Sequence, residues 1–337
     1  MIWFSRLFNK KYQLGLLGPD PEDPRDYQLA EIQPERVELP DEFDLRDKMP
    51  PIERQVFGTC VSNAACAVKA FWDTKEYHAI KDFSERFNHH NVKKISQLWN
   101  IQGDYLRNGL KALCKWGVVE EKDWPESRKM SWEEYIKTEP PAELYRKAEQ
   151  YKGKTYWSVP SNLEAMRQAI FQNKCPLATG MAWDKSYFKP DKDGRLPLPS
   201  GKIVAGHAIV CVGWENGKLW FRNSWGCWGK DGYFYIPFEE FSHHKFWNSW
   251  VLLDIEMPKP EEQEGWVVDS WLKSEFTKGE IAWPVCPLNF RTAPWGRVIK
   301  TLKPGEKLVI MGESKKGPKG FVWQKVKLLK GHDQRTN

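Results

Sequence analysis

A two-residue turn between two β-like segments constrains the fold of this chain most strongly. Residues 203–214 and 218–222 are both rich in β-branched, aromatic and other apolar side chains, as expected of strands. Asn216-Gly217 lies between them, and an Asn-Gly pair favours the positive φ angles of a tight hairpin turn. The two segments are therefore predicted to pair as antiparallel neighbours in one sheet.

The first half of the chain has a different period. Apolar residues recur at helical spacing in residues 61–72, and residues 106–116 and 162–172 show the same pattern. Residues 232–236 add a further strand after the hairpin. A helical half followed by an antiparallel half predicts an α+β fold with a cleft between two lobes.

Polar and Pro-rich segments divide the chain into a body and smaller parts. Residues 1–38 are predicted to form an extended N-terminal arm, because prolines fix φ and restrict the residues before them. The body spans residues 39–256, and residues 257–276 are interpreted as a linker. Residues 277–330 contain short strand-like runs punctuated by Gly and Pro, and residues 331–337 form a tail.

The excess positive charge of the chain lies in its C-terminal part. The net charge is +6, and from Met257 onward 15 Lys or Arg face 9 Asp or Glu, whereas the preceding residues carry 36 of each. This charge suggests an anionic partner such as a wall polymer, a nucleic acid or an acidic protein, with solvated lysines as the alternative. Of these partners, a nucleic acid is not favoured.

Hydropathy and cysteine usage bear on the compartment. No run of 18 or more apolar residues occurs, so no transmembrane helix is expected. The first residues lack the charge pattern and the cleavage site of a signal peptide. Seven Cys spread over 337 residues fit a reducing compartment better than a disulfide framework. We therefore expect a cytoplasmic or a phage virion-associated location.

Three residues in a fixed order point to nucleophilic catalysis. Cys60 begins the small-residue helix, and a helix N-terminus with a nearby imidazolium lowers the pKa of a thiol. His207 lies in the first strand of the hairpin, and Asn223 ends the second. The amide oxygen of Asn223 can accept the imidazole N–H, so the hairpin is predicted to bring the two together. A buried structural thiol is the alternative for Cys60 considered alone.

Four sequence motifs carry a resemblance to a known family. They occupy residues 39–46, 55–61, 206–210 and 223–233. In these motifs residues 39–254 resemble the papain-like cysteine peptidases, especially their bacterial branch. The resemblance implies a two-lobed fold, with a helical lobe and an antiparallel barrel-like lobe. It also implies hydrolysis of peptide bonds through a thioester acyl-enzyme, with no cofactor and no metal.

The resemblance assigns roles to individual residues. It implies that Cys60 is the nucleophile, that His207 is its base and that Asn223 orients the histidine. Gln55 would supply the oxyanion-hole side chain, and Trp225 would shield the histidine–asparagine hydrogen bond from water.

The same resemblance extends to the substrate groove. Gly103 and Asp104 lie where the family offers backbone hydrogen bonds to an extended peptide, and the small Gly103 would allow its close approach. A plain loop glycine is the alternative interpretation.

The chain also departs from the family pattern. Gln55 lies five residues before Cys60, where the family has six, and one residue is missing between Gly226 and Trp228. Phe57 replaces a disulfide cysteine of the secreted members. The usual long inhibitory propeptide is replaced by the short arm, so any latency is expected to have a source other than the arm.

The C-terminal part carries a second resemblance. Through residues 288–294, 298–308 and 323–326, residues 277–330 resemble bacterial SH3-type domains, which are small all-β barrels. Such modules bind cell-wall peptides in bacterial and phage lytic enzymes or serve as protein-contact domains. Trp295 and Trp323 are the candidate aromatic contacts, with packing in the core as the alternative.

The sequence thus predicts a cysteine endopeptidase that acts on polypeptides and carries an SH3-like targeting module. One alternative is an endopeptidase for peptidoglycan peptides in a lytic or virion system, in which case the protein would be carried in a phage particle. Another is a scaffold protein that keeps the fold with little turnover.

Overall fold

The computed structural model describes most of the chain from residue 12 to residue 328. The described residues are 12–23, 26–31, 36–77, 79–254, 264–268, 270, 272–273, 278, 281–285, 287–291, 298–302, 308–316 and 322–328. The chain divides into two compact units between residues 256 and 257, and each unit is described by itself. Among these residues no helix is both long and apolar enough to cross a membrane.

The α-helices of the described chain belong to the first unit. They are α1 (Cys60–Tyr77), α2 (Glu85–Ser96), α3 (Leu106–Trp116), α4 (Trp132–Lys137), α5 (Ala142–Ala148) and α6 (Leu163–Asn173). The three helices predicted from apolar spacing correspond to α1, α3 and α6. The side chain of Asn162 caps α6 by accepting a hydrogen bond from the backbone N–H of Ala165.

Helix α1 lies in the core of the first unit because its small side chains permit close packing. Gly109 of α3 packs on it so closely that a Cβ at this position would lie 3.0 Å from Val61 and 3.1 Å from Ala65. The first residue of α1, Cys60, is fully buried. The helix therefore presents its N-terminus, with its unpaired backbone N–H groups, inside the protein.

The sheet of the first unit is antiparallel throughout. Its strands are β1 (Phe43–Asp44), β2 (Thr155–Val159), β3 (Leu177–Asp184), β4 (Ile203–Glu215), β5 (Lys218–Arg222), β6 (Tyr233–Pro237) and β7 (Phe246–Leu253). They are ordered β2-β7-β3-β4-β5-β6, and β1 pairs with β4. All residues of the interior strand β3 are buried. The predicted α+β class is confirmed.

The predicted hairpin joins β4 to β5. Asn216 and Gly217 have φ angles of 50° and 68°, as a two-residue turn between right-twisted strands requires. Glu215 pairs with Lys218, and the ladder extends to Val210 opposite Arg222. The end of β5 thereby reaches the part of β4 that carries His207.

The second unit is an all-β sheet. Its strands are β8 (Glu264–Val268), β9 (Leu272–Lys273), β10 (Ile281–Pro284), β11 (Leu288–Arg291), β12 (Val298–Leu302), β13 (Leu308–Lys316) and β14 (Val322–Leu328). The order is β12-β11-β8-β14-β13-β10-β9. Residues 264–268, interpreted above as linker, instead form the interior strand β8, because β8 pairs with both β11 and β14.

The aromatic residues of this unit clarify one prediction. Trp323 is 3 % exposed and packs with the equally buried Trp266, so it belongs to the interior and not to an exposed contact surface. The other candidate contact, Trp295, lies outside the described residues. The resemblance to an SH3-type barrel stays a prediction.

Candidate active site

The start of α1 and the middle of β4 meet at Cys60. The Sγ of Cys60 accepts a hydrogen bond of 3.4 Å from the backbone N–H of Ala208, the residue after His207. Sheet and helix thus bring the thiol beside the strand that carries the histidine. Cys60 and Ala208 are 148 positions apart in the chain, and the fold places them in contact.

His207 is positioned by one hydrogen bond and by two tryptophan rings. Its Nε2 lies 2.8 Å from the Oδ1 of Asn223, an acceptor that fixes the proton on Nε2. The Trp225 ring stacks on the imidazole at 4.5 Å and 22°, and Trp183 meets it edge-on at 4.9 Å. The predicted residues Cys60, His207, Asn223 and Trp225 therefore come together.

Gln55 lies beside the same group of residues. Its Oε1 accepts a hydrogen bond of 2.5 Å from the hydroxyl of Ser224, which fixes the orientation of the amide. Its Nε2 donates to the carbonyl oxygen of Phe57 at 2.7 Å and to that of Gln13 at 3.2 Å. The amide N–H groups of Gln55 therefore point at carbonyl oxygens despite the shortened loop.

The N-terminal arm crosses this site. The backbone N–H of Gly15 interacts with the Cys60 thiol and lowers its pKa. The N–H of Leu16 donates to the carbonyl of Gly206 at 3.2 Å, beside His207. A Cβ on Gly15 would lie 1.8 Å from the carbonyl oxygen of Gly58, so only glycine permits this approach. The arm thus lies over the thiol, which the sequence did not reveal, and the source of any latency stays a prediction.

Asp104 and Gly103 hold the arm from the other side. The N–H of Asp104 donates to the Gly15 carbonyl at 2.8 Å, and the Asp104 carbonyl accepts from the N–H of Leu17 at 3.1 Å. Gly103 supplies clearance, since a Cβ there would lie 2.3 Å from the Gly15 oxygen. Both predicted groove residues thus contact an extended peptide, which is the chain's own arm.

A buried lysine that the sequence did not reveal supports this wall of the groove. Lys93 is fully buried in α2, and its Nζ donates to the carbonyl of Gly103 at 2.6 Å and to the carboxylate of Asp104 at 3.0 Å. Ser96 and Asn108 also donate to this carboxylate. No sequence signal distinguished Lys93, because it lies among other polar and charged residues of α2.

The side chain of Leu16 fills a pocket in the groove. It is only 4 % exposed. A Cβ on Gly180 would lie 2.7 Å from the Cδ2 of Leu16 and 3.7 Å from the Cδ2 of Leu106. The absence of a side chain at position 180 therefore makes room for the leucine.

Burial shifts the pKa values of both reacting groups. Desolvation raises the pKa of the Cys60 thiol to about 11, against the lowering effect of the backbone N–H groups of Ala208 and Gly15. Desolvation likewise lowers the pKa of His207 to about 4, against the hydrogen bond to Asn223. With the arm in place, the site at neutral pH holds a neutral thiol and a neutral imidazole.

Comparison with known proteins identifies the family. The model of the papain family cysteine proteases matches residues 39–245, more than half of the chain. The chain belongs to the papain family of cysteine proteases. The papain-like fold and the hydrolase activity expected from the sequence are confirmed.

Relatives of this papain-family protease come from distant sources. An uncharacterized peptidase C1-like protein of Acanthamoeba polyphaga mimivirus is 25 % identical over 240 residues, which cover 64 % of this chain and 75 % of that protein. A gut-specific cysteine proteinase of Caenorhabditis elegans is 32 % identical over 143 residues, covering 40 % of this chain and 41 % of that protein.

Solved structures resemble the protease over similar lengths. Xylellain, a cysteine protease from Xylella fastidiosa, is 27 % identical with a TM-score of 0.64, and the match covers 73 % of this chain and 98 % of xylellain. The digestive procathepsin L2 proteinase of Tenebrio molitor shares the fold, with a TM-score of 0.56 and 18 % identity over 75 % of this chain and 82 % of that one.

Proposed function

We propose that this protease is a cysteine endopeptidase whose catalytic residues are Cys60, His207 and Asn223. The observation that carries the proposal is the Cys60 thiol held beside a histidine whose Nε2 is bonded to Asn223. With its proton fixed on Nε2, the imidazole has a lone pair on Nδ1 for the thiol proton. This Nδ1 has no hydrogen-bond partner within the part of the chain that the structure describes.

The reaction proceeds in two halves. His207 takes the thiol proton, the sulfur attacks the peptide carbonyl, and His207 returns the proton to the leaving amine, which leaves a thioester. Water then attacks the thioester with His207 as base, and the acid product and free thiol are released. Gln55 is proposed to stabilise the oxyanion, and its amide N–H contact with the Gln13 carbonyl supports this role.

We further propose that the enzyme is latent. The arm uses the groups that an extended substrate needs, namely the Gly206 carbonyl and the backbone N–H and C=O of Asp104. Substrate and arm therefore compete for one groove. Release of the arm would rehydrate Cys60 and His207, and the thiolate–imidazolium pair that burial disfavours would then form.

The arm also indicates the substrate class. Leu16 is the buried arm side chain next to the residue that contacts the thiol, and its pocket is bounded by Gly180 and Leu106. Burial of a leucine side chain contributes about 2 kcal/mol. We propose that peptides with a leucine-sized branched aliphatic residue in this pocket are the preferred substrates.

Labelling with a thiol-reactive peptide that carries leucine tests this function. We expect mass spectrometry to find the adduct on Cys60, and Cys60→Ala to lose both label and hydrolysis while keeping its fold. The matched control is Cys227→Ala, because Cys227 is an exposed cysteine that a nonspecific reagent would modify. Label on Cys227 alone, even after removal of the arm, would favour the scaffold alternative.

For the second unit we propose an SH3-type module that contacts an anionic or protein partner. Its support is an all-β sheet whose strands β13 and β14 carry Lys315, Lys316 and Lys325. Binding of the full chain to an acidic polymer should weaken with added salt, because screening reaches about 10 Å at 0.1 M. Salt-independent binding would contradict the electrostatic part of the proposal. The cytoplasmic or virion-associated location and the bacterial or phage origin stay predictions.

A further inference from the structure

A small internal cavity borders Asn223, the proposed catalytic asparagine. Glu53, Glu85, Arg222, Asn223 and Ser224 are among the residues that line it, and its free space is that of about one water molecule. Glu53 lies two residues before Gln55, and Glu85 is the first residue of α2. The cavity therefore connects the buried carboxyl group of Glu85 and the partly buried one of Glu53 with the residue that orients His207.

Two polar atoms of the lining residues lack protein partners. Asn223 is 2 % exposed and Glu85 is 5 % exposed. The Nδ2 of Asn223 and the Oε2 of Glu85 have no hydrogen-bond partner among the residues that the structure describes. One atom is a donor and the other a carboxyl oxygen. A buried polar group without a hydrogen-bond partner destabilises the folded state, so the pair needs a bridging group.

We propose that an ordered water molecule in this cavity bridges Asn223 to Glu85, which makes Glu85 a positioning residue for the catalytic asparagine. The water accepts a hydrogen bond from the Nδ2 of Asn223 and donates one to the Oε2 of Glu85. Buried waters in proteins make about three hydrogen bonds of this kind.

The bridge matters because the amide of Asn223 has an acceptor oxygen, Oδ1, at one end and a donor nitrogen, Nδ2, at the other. The Oδ1 of Asn223 accepts from His207 and, at 2.7 Å, from the backbone N–H of Ser224. A rotation of the amide by 180° would turn Nδ2 toward the imidazole N–H and break both bonds. An acceptor on the far side holds Nδ2 there, so the bridge stabilises the orientation that His207 needs.

The surroundings of Glu85 favour a protonated carboxyl group, and such a group keeps one oxygen that can accept a hydrogen bond. Glu85 is hydrogen-bonded to Glu53, and its carboxyl group is the donor because burial raises its pKa well above the ordinary value. Oε2 is the Glu85 oxygen without a partner among the described residues, and it is the oxygen proposed to accept from the water. The other ionisable groups that face the pair are Asp82, Glu121, Glu126, Tyr135, Cys66 and Arg222.

A direct test needs no catalysis and therefore stands apart from the proposed function on which the inference rests. A crystal structure of the full chain that shows ordered water should place one within 3.2 Å of both the Asn223 Nδ2 and the Glu85 Oε2. Density that shows no water, or a water bonded to neither atom, would overturn the proposal.

Two variants give a second readout in the full chain. Glu85→Leu removes the acceptor, whereas Glu85→Gln keeps an amide oxygen in its place. By proton NMR, the His207 imidazole N–H should exchange with solvent about fivefold faster in Glu85→Leu, the factor that corresponds to about 1 kcal/mol of lost hydrogen bonding. Glu85→Gln should restore the parent rate. Equal exchange in parent and Glu85→Leu would overturn the inference, even if Glu85→Leu is less stable.

The control variant is Glu121→Gln. Glu121 belongs to the same acidic group and also has a buried Oε2 without a partner among the described residues, but it does not line the cavity. With a peptide substrate after arm release, Glu85→Leu should lower kcat about fivefold with little change in KM, and Glu121→Gln should match the parent. A fall of both variants to the same extent would indicate a general effect on the fold and contradict the bridge.

Discussion

The backbone N–H of Gly15 interacts with the Cys60 thiol and favours its charged form, which lowers the pKa of the thiol. A residue near the start of the chain thus contacts the proposed nucleophile directly. The neighbouring backbone groups of the arm bond to Gly206 and Asp104, and the Asp20 carboxylate accepts from the indole N–H of Trp250 at 2.7 Å. The arm is therefore attached on both sides of the thiol and beyond it.

Two glycines of the arm provide a matched test of latency. Gly15→Ala should raise hydrolysis of a short leucine peptide, because the new Cβ would overlap the Gly58 backbone and displace the arm. Gly18→Ala is the control, since a Cβ there meets nothing within 4 Å. Initial rates of freshly purified protein measure the effect, and we expect an increase of about tenfold or more for a displacement worth over 1.4 kcal/mol.

The opposite result is equally informative. If Gly15→Ala and Gly18→Ala hydrolyse the peptide at the same rate as the parent, the arm does not control access to Cys60.

The pocket at Gly180 should determine the preferred side chain. Gly180→Ala places a methyl group where the Leu16 Cδ2 now lies. We expect kcat/KM for a leucine peptide to fall about tenfold relative to an alanine peptide, the effect of about one methylene group in an apolar pocket. Parallel assays of the two peptides measure this ratio. An unchanged ratio would show that another pocket selects the side chain.

Removal of the buried lysine should destabilise the protein strongly. Lys93→Met leaves the Asp104 carboxylate buried without its cation, a change that costs about 3–5 kcal/mol. Lys94→Met is the control, because Lys94 forms a partly exposed ion pair with Glu139 that contributes at most about 1 kcal/mol. Urea unfolding of both variants measures the difference. Similar losses would show that the Lys93–Asp104 pair is not stabilising the groove.

Stability should depend on pH through the buried glutamates. Burial raises the pKa of Glu121 to about 8 from its ordinary 4.5. Between these values the folded state binds more protons than the unfolded state, so stability is fully present below pH 4.5 and is lost as the pH rises through 8. Glu121→Gln carries no such proton, and its melting temperature should fall less between pH 6.5 and 8.5. A slope equal to that of the parent would contradict the assignment.

The sequence predicted the regular elements that follow a clear period. Helices α1, α3 and α6 and strands β4 and β5 have strong apolar patterns or a defined turn, and their predicted bounds agree with the structure to within a few residues. Helix α2 was missed because its buried positions include Asn88, His89, Asn91 and Lys93, whose polar side chains hide the apolar stripe. Strand β3 was missed because Gly180 and two alanines weaken its β propensity.

The candidate site was predictable to a similar degree. The order of Cys60, His207 and Asn223 in recognisable motifs gave the residues that the fold brings together. The docking of the arm was not predictable, since an extended segment carries no periodic signal for the surface that it contacts. Lys93 and Glu85 act through partners outside their own helix, and a local sequence pattern does not indicate such pairs.

The arm and the groove belong to one polypeptide, and this covalent connection changes the concentration that governs inhibition. A tethered segment occupies its site at an effective concentration in the mM range, which does not fall when the protein is diluted. Under the proposed latency, dilution therefore does not activate the enzyme. A free peptide must reach a concentration comparable to the effective concentration of the arm in order to displace it. A single proteolytic cut between the arm and the body would turn the tethered arm into a separate peptide. Once that peptide has dissociated and been diluted, the arm would no longer rebind, so its loss would be irreversible.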